Sequence, residues 1–241
     1  MADVLILAIE TATGCGSVAL TRGTGGAAKV LAEYTLQPER THSRRLLGSV
    51  AAMMAAADIA WSGLDAVAVS QGPGSFTGLR IGMAAAKGIA LAANIPLLAI
   101  PTLDGLALQA TAVELPVCCL LDARKQQVYA AFYRYEQERY RRIGAFLVLR
   151  PEELALQIHE PTLMIGPGIQ ACRSLFAGHP LVRLTPAGLH HPRAAMIGFC
   201  GARRLAEETA GAAGDIVPLY VRASEAELNL RGMDGRMQGA L

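Results

Sequence analysis

The glycine-rich stretch VAVSQGPGSFTGLRIG, residues 67–82, is the part of the sequence that most directly suggests chemistry. It runs from a β-type apolar segment through a GPG turn into a helical pattern. The first turn of a helix offers unpaired N–H groups and the positive end of the helix dipole, so such a turn can bind a phosphate. A Walker-type loop is excluded, because Leu79 and Arg80 follow Gly78 where a lysine and a serine or threonine are required.

A second interpretation of the same stretch is a turn that packing requires, with Ser75 as the N-cap of the helix. Its GxGxxxG spacing also differs from a dinucleotide fingerprint. In the helix predicted over 76–93, small residues recur every four positions and form a stripe that lets a neighbour approach closely. We predict that this stripe, besides packing inside its lobe, meets a partner subunit, so that Gly82→Arg abolishes association without unfolding the lobe. The stripe consists of Gly78, Gly82, Ala86 and Ala90.

Histidine and cysteine do not occur with the spacing of a metal site. The five histidines form no HxxxH or HExxH pair, and the five cysteines form no CxxC pair. We therefore expect no metal and no cofactor, and we interpret the cysteines as buried thiols of a protein from a reducing compartment. The histidines are His42, His159, His179, His190 and His191, and the cysteines are Cys15, Cys118, Cys119, Cys172 and Cys200.

The composition favours a folded protein whose surface a partner partly covers. Hydrophobic residues make up 52% of the 241 positions and charged residues 17%, which is more apolar than an isolated soluble surface requires. The formal charge of +2 gives no electrostatic footprint for nucleic acid. We interpret the arginine-rich run 134–150 as a solvated strand face, with an RNA contact as the alternative. Because Glu10 breaks the first apolar run and Lys87 interrupts residues 81–100, we predict no signal peptide and no membrane span, and expect a cytoplasmic protein.

The two halves of the sequence repeat one order of elements. Apolar and alternating runs predict strands at 4–9, 17–22 and 30–36, a helix over 42–57, a strand at 66–70, a helix over 76–93 and a strand at 97–100, with a helix after Thr102. From Val117 a similar strand pair recurs, followed by a strand near 146–149, a helix over 151–158, a strand at 162–165, a second GPG turn and a helix over 169–176. A last helix is predicted over 192–209.

This repetition predicts an α/β protein of two similar lobes, each a mixed sheet with flanking helices. The first lobe is expected to span residues 1–103 and the second 104–224, with the last helix free to return to the first lobe. Residues 225–241 carry little periodicity and are expected to form a flexible tail.

Five segments carry a resemblance to a known family: ILAIETAT, THSRRLL, VAVSQGPGSFTGLRIGMAAAKGIA, IPLLAIPTLDGLA and PLYVRASEAE. Together they resemble TsaB, the YeaZ-type family of the bacterial tRNA threonylcarbamoyladenosine machinery. The resemblance covers residues 3–227 and implies the actin-like, ribonuclease H-like fold shared with sugar kinases and Hsp70. It also implies a non-catalytic partner of TsaD, the paralogue that transfers the threonylcarbamoyl group to adenosine 37 of tRNAs reading ANN codons, in an assembly that includes the ATPase TsaE.

The resemblance further implies where partners and ligands bind. Helices 42–57 and 76–93 are expected to pack on their counterparts in TsaD, or in a second copy of the chain when it is alone, and tRNA is contacted only indirectly. Glu10 and Asp122 are placed like the acids that face the interlobe cleft of nucleotide-binding relatives, where a carboxylate pair could hold Mg²⁺; capping of the adjacent turns is the alternative. The expected partner-interface residues are Leu46, Val50, Met53, Met54, Gly78, Gly82, Ala86 and Ala90.

The residues also indicate what the chain lacks. In the resemblance, the catalytic paralogue carries an HxxxH metal motif just after the strand equivalent to 97–100, whereas this chain has IPTLDGLALQA, without histidine. We therefore expect no catalytic residue and no enzyme activity of its own. Two alternatives are a glycoprotease-type metal-dependent peptidase, which metal content would reveal, and a small-molecule kinase of the same fold, which ATP turnover would reveal.

Overall fold

The computed structural model describes residues 3–36, 45–111, 113–207 and 215–222. The strands in these ranges are β1 Leu5–Glu10, β2 Gly16–Arg22, β3 Lys29–Leu36, β4 Ala66–Gly72, β5 Leu97–Pro101, β6 Val117–Arg124, β7 Gln127–Glu136, β8 Arg139–Leu149, β9 Thr162–Ile165 and β10 Val182–Leu184. The helices are α1 Leu46–Ala56, α2 Phe76–Ala93, α3 Thr102–Ala107, α4 Pro151–Ala155, α5 Ile169–Phe176 and α6 Ala194–Ala206.

The first sheet has the strand order β3-β2-β1-β4-β5, with β1 antiparallel to β2 and parallel to β4. Strand β1 is a continuous apolar run because both of its faces are covered. Its odd-numbered side chains, such as Leu7 and Ile9, join the core under α1 and α2, while Ile6 and Ala8 join the core under α6. The sheet is therefore the middle layer of a three-layer lobe.

The second sheet repeats this topology with the order β10-β9-β6-β7-β8. Strand β6 is antiparallel to β7 and parallel to β9, as β1 is to β2 and β4. One face of β6 packs with α4 and α5 through Leu120 and Phe176, and the other packs with α3 through Leu121 and Leu103. The predicted pair of similar α/β lobes, with the actin-like, ribonuclease H-like arrangement, is thus confirmed.

Helix α6 follows the second sheet in the chain but packs on the first one, against β1, β2, β4 and β5. The first turn of α6 is hydrogen bonded by side chains of strands β2 and β3, which are far from it in the sequence. Glu33 of β3 accepts a hydrogen bond from the Ala195 N–H at 3.1 Å and forms an ion pair with Arg193, and Ser17 of β2 accepts one from the Ala194 N–H at 3.1 Å. The capping groups that this helix lacks locally therefore come from the first lobe.

Helix α2 is, among the described helices, the one long and apolar enough to cross a membrane. Its inner face, which includes Leu79, Met83 and Ile89, is buried in the lobe. The apolar length of this helix therefore serves the three-layer packing of the first lobe.

Some boundaries differ from the predictions for physical reasons. Strand β8 begins at Arg139, whereas the sequence predicted a strand only near 146–149. The first half of the strand was missed because it is arginine-rich and mostly exposed, and so lacks an apolar alternation. Strand β10 was not predicted, since a run of three residues gives no periodic signal. Helix α4 ends at Ala155 rather than at Ile158. The predicted helix start near Thr41 and the predicted tail at 225–241 lie outside the described residues.

Candidate functional site

The glycine-rich turn between β4 and α2 is a close-packed corner. Ser75 caps α2 by accepting a hydrogen bond from the Gly78 N–H at 3.3 Å, and the Ser75 N–H donates to the Ala12 carbonyl at 2.7 Å. A Cβ atom at Gly78 would collide with the Thr11 carbonyl oxygen. The packing interpretation therefore accounts for the glycine at position 78, while Gly74, Ser75 and Phe76 also line the cleft between the two lobes.

The small-residue stripe continues this contact into the lobe. The Thr11 hydroxyl donates to the Gly78 carbonyl at 2.8 Å, and a Cβ atom at Gly82 would lie 3.4 Å from the Thr11 Cβ and closer still to its hydroxyl. Ala86 and Ala90 belong to the core between α2 and the sheet. The stripe lets the helix approach its own sheet and the Thr11 loop.

The eight predicted interface residues are buried within the first lobe, and their contact with a partner stays a prediction. They lie on the inner faces of α1 and α2, since the apolar spacing that marks a helix face marks the face turned towards the core. The buried residues concerned are Leu46, Val50, Met53, Met54, Gly78, Gly82, Ala86 and Ala90.

The second GPG turn forms the same corner in the other lobe. Gly72 and Gly166 both have φ of +121°, in the region that favours glycine. The Gly168 N–H donates to the Leu120 carbonyl at 3.1 Å, and a Cβ atom at Gly168 would lie 2.9 Å from the Leu120 Cβ. The repeated GPG motif is thus a structural feature of the duplicated strand-to-helix connection.

Glu10, one of the two predicted cleft acids, is fully buried. The Ala12 N–H donates to its Oε1 at 2.5 Å, and its Oε2 has no hydrogen-bond partner in the described part of the chain. Burial raises the pKa of Glu10 from 4.5 to about 7, against the smaller lowering by the hydrogen bonds with Ala12 and Ser70. The placement of Glu10 on the cleft surface is therefore wrong, because its carboxyl lies inside the first lobe.

Asp122, the second predicted acid, does line the cleft between the lobes, which encloses about 620 Å³. Its carboxylate accepts a hydrogen bond from the Arg124 N–H at 2.7 Å, so it also caps its own turn. With Glu10 buried elsewhere, the cleft does not contain the predicted carboxylate pair. The other charged and aromatic groups that line it are Arg124, Lys125, Arg222, Phe76, Tyr129 and Tyr220.

An apolar groove of about 390 Å³, which the sequence reasoning missed, is lined by Leu47 of α1, by Trp61 and by the second half of α2. Leu47 and Trp61 line it with 57% and 43% of their surface exposed, and Leu91 on the outer face of α2 is 82% exposed. Exposed apolar groups clustered on one surface mark an interaction site. A signal was available in the lone tryptophan, which stands in a short turn outside any apolar run. The remaining lining residues are Ala85, Gly88, Ile89, Ala92 and Ala93.

Two other predicted features have local structural roles. The His190 ring nitrogen Nε2 is hydrogen bonded to the Thr185 carbonyl at 2.9 Å, and among the described residues no group of three or more His, Cys, Asp or Glu side chains could hold a metal ion. His42 lies outside the described residues. The basic run forms ion pairs within the chain, including Arg142 with Asp104 at 3.6 Å and Arg139 with Glu207 at 3.7 Å.

Comparison with known proteins gives consistent similarities. Residues 29–230 match the family model of TsaD, tRNA N6-adenosine threonylcarbamoyltransferase. The chain is 37% identical over 173 residues to the tRNA threonylcarbamoyladenosine biosynthesis protein TsaB of Escherichia coli, covering 69% of this chain and 72% of that protein. It is 29% identical over 233 residues to TsaB of Bacillus subtilis, covering 92% and 96%. The solved structure of YeaZ from Pseudomonas aeruginosa superposes with a TM-score of 0.76 at 29% identity, over 90% of this chain and all of that one.

Proposed function

The chain belongs to the TsaB (YeaZ) family of tRNA threonylcarbamoyladenosine biosynthesis proteins, and from this premise we propose that it is a non-catalytic subunit that docks on a TsaD-type transferase. In this proposal TsaD performs the transfer of the threonylcarbamoyl group, TsaE joins the same assembly, and tRNA contacts this chain only indirectly. When TsaD is absent, a second copy of the chain occupies the same surface.

The observation that carries the proposal is the exposed apolar groove on α1 and α2. A partner that covered the exposed apolar side chains would gain roughly 25 cal/mol of binding free energy per Å² of apolar surface removed from water. These side chains are Leu47, Trp61 and Leu91. Tryptophan is also the side chain most often found as an anchor at the centre of an interface. Five of the seven residues that line the groove belong to α2, a helix of 18 residues.

A TsaD-type protein is the occupant that this surface fits best. The match of residues 29–230 to the TsaD family model supports a partner of the same fold, with its own pair of helices on the corresponding sheet. Two such helix layers can pack face to face across the groove. The proposed interface therefore uses the helices that the sequence indicated, but through their outer faces.

The absence of catalysis is supported by the residues of α3. In the resemblance, the catalytic paralogue carries its histidine pair after the strand equivalent to β5. Here Leu103, Leu106 and Ala107 occupy that helix and are buried in the core of the second lobe. Aliphatic side chains provide no metal ligand.

Two single substitutions test the proposal, one in the groove at Leu47 and one on the exposed side of α2 at Leu91. Leu47→Asp and Leu91→Asp each place a charge on the apolar surface, and position 47 lies in the first turn of α1, where an acid is favourable for the helix. We expect the affinity for TsaD of the same organism to fall more than roughly ten-fold, measured by light scattering and titration calorimetry.

Leu156→Asp is the matched control, since Leu156 is 74% exposed but lies on the second lobe after α4. It should bind TsaD as the unmodified chain does. Tight binding by folded Leu47→Asp and Leu91→Asp proteins would rule out this surface as the docking site.

A further inference from the structure

Residues 215–222, which we call the strap, dock on the end of β4 through their backbone. The Leu219 N–H donates to the Gln71 carbonyl at 2.7 Å, and the Gln71 side-chain amide donates to the Val217 carbonyl at 2.9 Å. A Cβ atom at Gly72 would lie 2.6 Å from the Leu219 carbonyl oxygen. The strap therefore occupies space that is available only because position 72 has no side chain.

Tyr220 fastens the strap to the first turns of α2. Its ring stacks on Phe76 with centroids 5.2 Å apart, and its hydroxyl accepts a hydrogen bond from Arg80 Nε at 3.1 Å. The Arg80 guanidinium lies 3.8 Å from the centroid of the Phe76 ring, so the three side chains form one connected group. These contacts all belong to the first lobe.

Arg222, two residues further along, reaches the second lobe. Its guanidinium donates to the Ala123 carbonyl of β6 at 3.3 Å. Its positive charge is also close enough to Tyr129 of β7 to lower the pKa of that phenol, against the larger effect of burial, which raises it. Tyr220 and Arg222 both line the cleft, so one short segment contacts the two lobes across it.

We propose that the strap is a releasable bridge that holds the two lobes in one arrangement and closes the cleft, and that its release lets the lobes separate. Apart from Ile216, which packs on the first core, the strap is held by a few hydrogen bonds and one ring stack. Val217 and Tyr220 are exposed, which is the pattern of a segment that opens more readily than the core. When it is released, α3 still packs on elements of both lobes and the chain keeps its two cores.

The test removes the side chains that fasten the strap and asks whether the lobes move. In Tyr220→Ala/Arg222→Ala the ring stack and two hydrogen bonds are lost, which should raise the exchange rate of the Leu219 amide hydrogen roughly ten- to hundred-fold. The distance between the lobes is measured by pulsed EPR with spin labels at Lys29→Cys and Leu156→Cys. Both positions are exposed, whereas the five native cysteines are buried, so only the introduced thiols are labelled.

Faster Leu219 exchange together with a longer or broader interlobe distance supports the bridge. Val217→Ala, which alters an exposed strap side chain but no fastening contact, should leave both readings unchanged. Unchanged exchange in the double variant would show that these side chains do not hold the strap, and faster exchange at an unchanged distance would show that the strap does not hold the lobes. If the double variant fails to fold, the single variant Arg222→Ala is tested instead, with the same measurements of Leu219 amide exchange and interlobe distance and the same criteria. Neither reading depends on TsaD, so this test is independent of the docking proposal.

Discussion

Glu10→Gln should stabilise the protein above neutral pH and do little at acidic pH. The carboxyl is fully buried with one oxygen unpaired, and burial raises its pKa from 4.5 to about 7. The folded state therefore holds the proton more firmly than the unfolded state. The contribution of the neutral acid is fully present below about pH 4.5 and is lost as the pH rises through 7. Above that pH a buried charge remains, which glutamine avoids.

The magnitude follows from the difference between the two pKa values. Each unit corresponds to about 1.4 kcal/mol, so ionisation of Glu10 costs about 3 kcal/mol of the free energy of unfolding. Urea unfolding of the two proteins from pH 5 to pH 8 measures it. The free energy of unfolding of Glu10→Gln relative to the unmodified chain should rise by about 2.5 kcal/mol over this range, since part of the effect is already present at pH 5. Other titrating groups are common to both proteins and cancel.

Asp122→Asn is the control, because Asp122 occupies the corresponding place after β6 but is exposed in the cleft. It makes the same carboxyl-to-amide change at an exposed position, so an effect shared by both variants does not come from burial. If the advantage of Glu10→Gln is the same at both ends of the range, the carboxyl is not titrating inside the lobe, and the account of its burial is wrong.

Two further predictions concern the packing of the first lobe. Gly82→Arg should unfold the lobe rather than only block association, because the arginine side chain would have to displace Thr11. Circular dichroism would detect the unfolding, and a folded variant would contradict the packing described here. Glu33→Gln should lower the free energy of unfolding by about 1–2 kcal/mol, since it weakens the charged contacts at the start of α6. As a control, Glu207→Gln affects only an exposed ion pair with Arg139 and should change the free energy of unfolding by less than about 0.5 kcal/mol. Equal effects of Glu33→Gln and Glu207→Gln would argue against a capping role for Glu33.

Much of the fold could be predicted from the sequence because the local patterns and the tertiary structure agree. The run VLILAI gives a doubly covered strand, and Ser75 together with Phe76–Ala93 gives a capped helix with its observed bounds. The repeated strand pairs gave the two lobes. Strand β8 was only partly visible, because an exposed edge strand with arginines has no core face to create an alternation.

The candidate site was harder to predict because periodicity identifies the inner face of a helix. Ala86 and Gly82 lie where close approach is needed, and the sequence could not distinguish approach to the parent sheet from approach to a partner. Leu47 and Leu91 become informative only when their exposure is known. Likewise, Glu10 and Asp122 hold matching sequence positions, but only one of the two adjacent loops leaves its acid in the cleft.

The proposed docking surface lies on the first lobe because the two duplicated halves differ in their helices. In the first half α1 has 11 residues and α2 has 18, so α2 alone extends for about 27 Å. Their counterparts α4 and α5 have 5 and 8 residues, too few to present an outer layer of comparable length. The sheet beneath α1 and α2 is also covered on its other face by α6. Among the described elements, a long helix pair on a doubly covered sheet is therefore present in one lobe only. Its exposed side carries Leu47 and Leu91, and Trp61 lies in the short turn that follows α1.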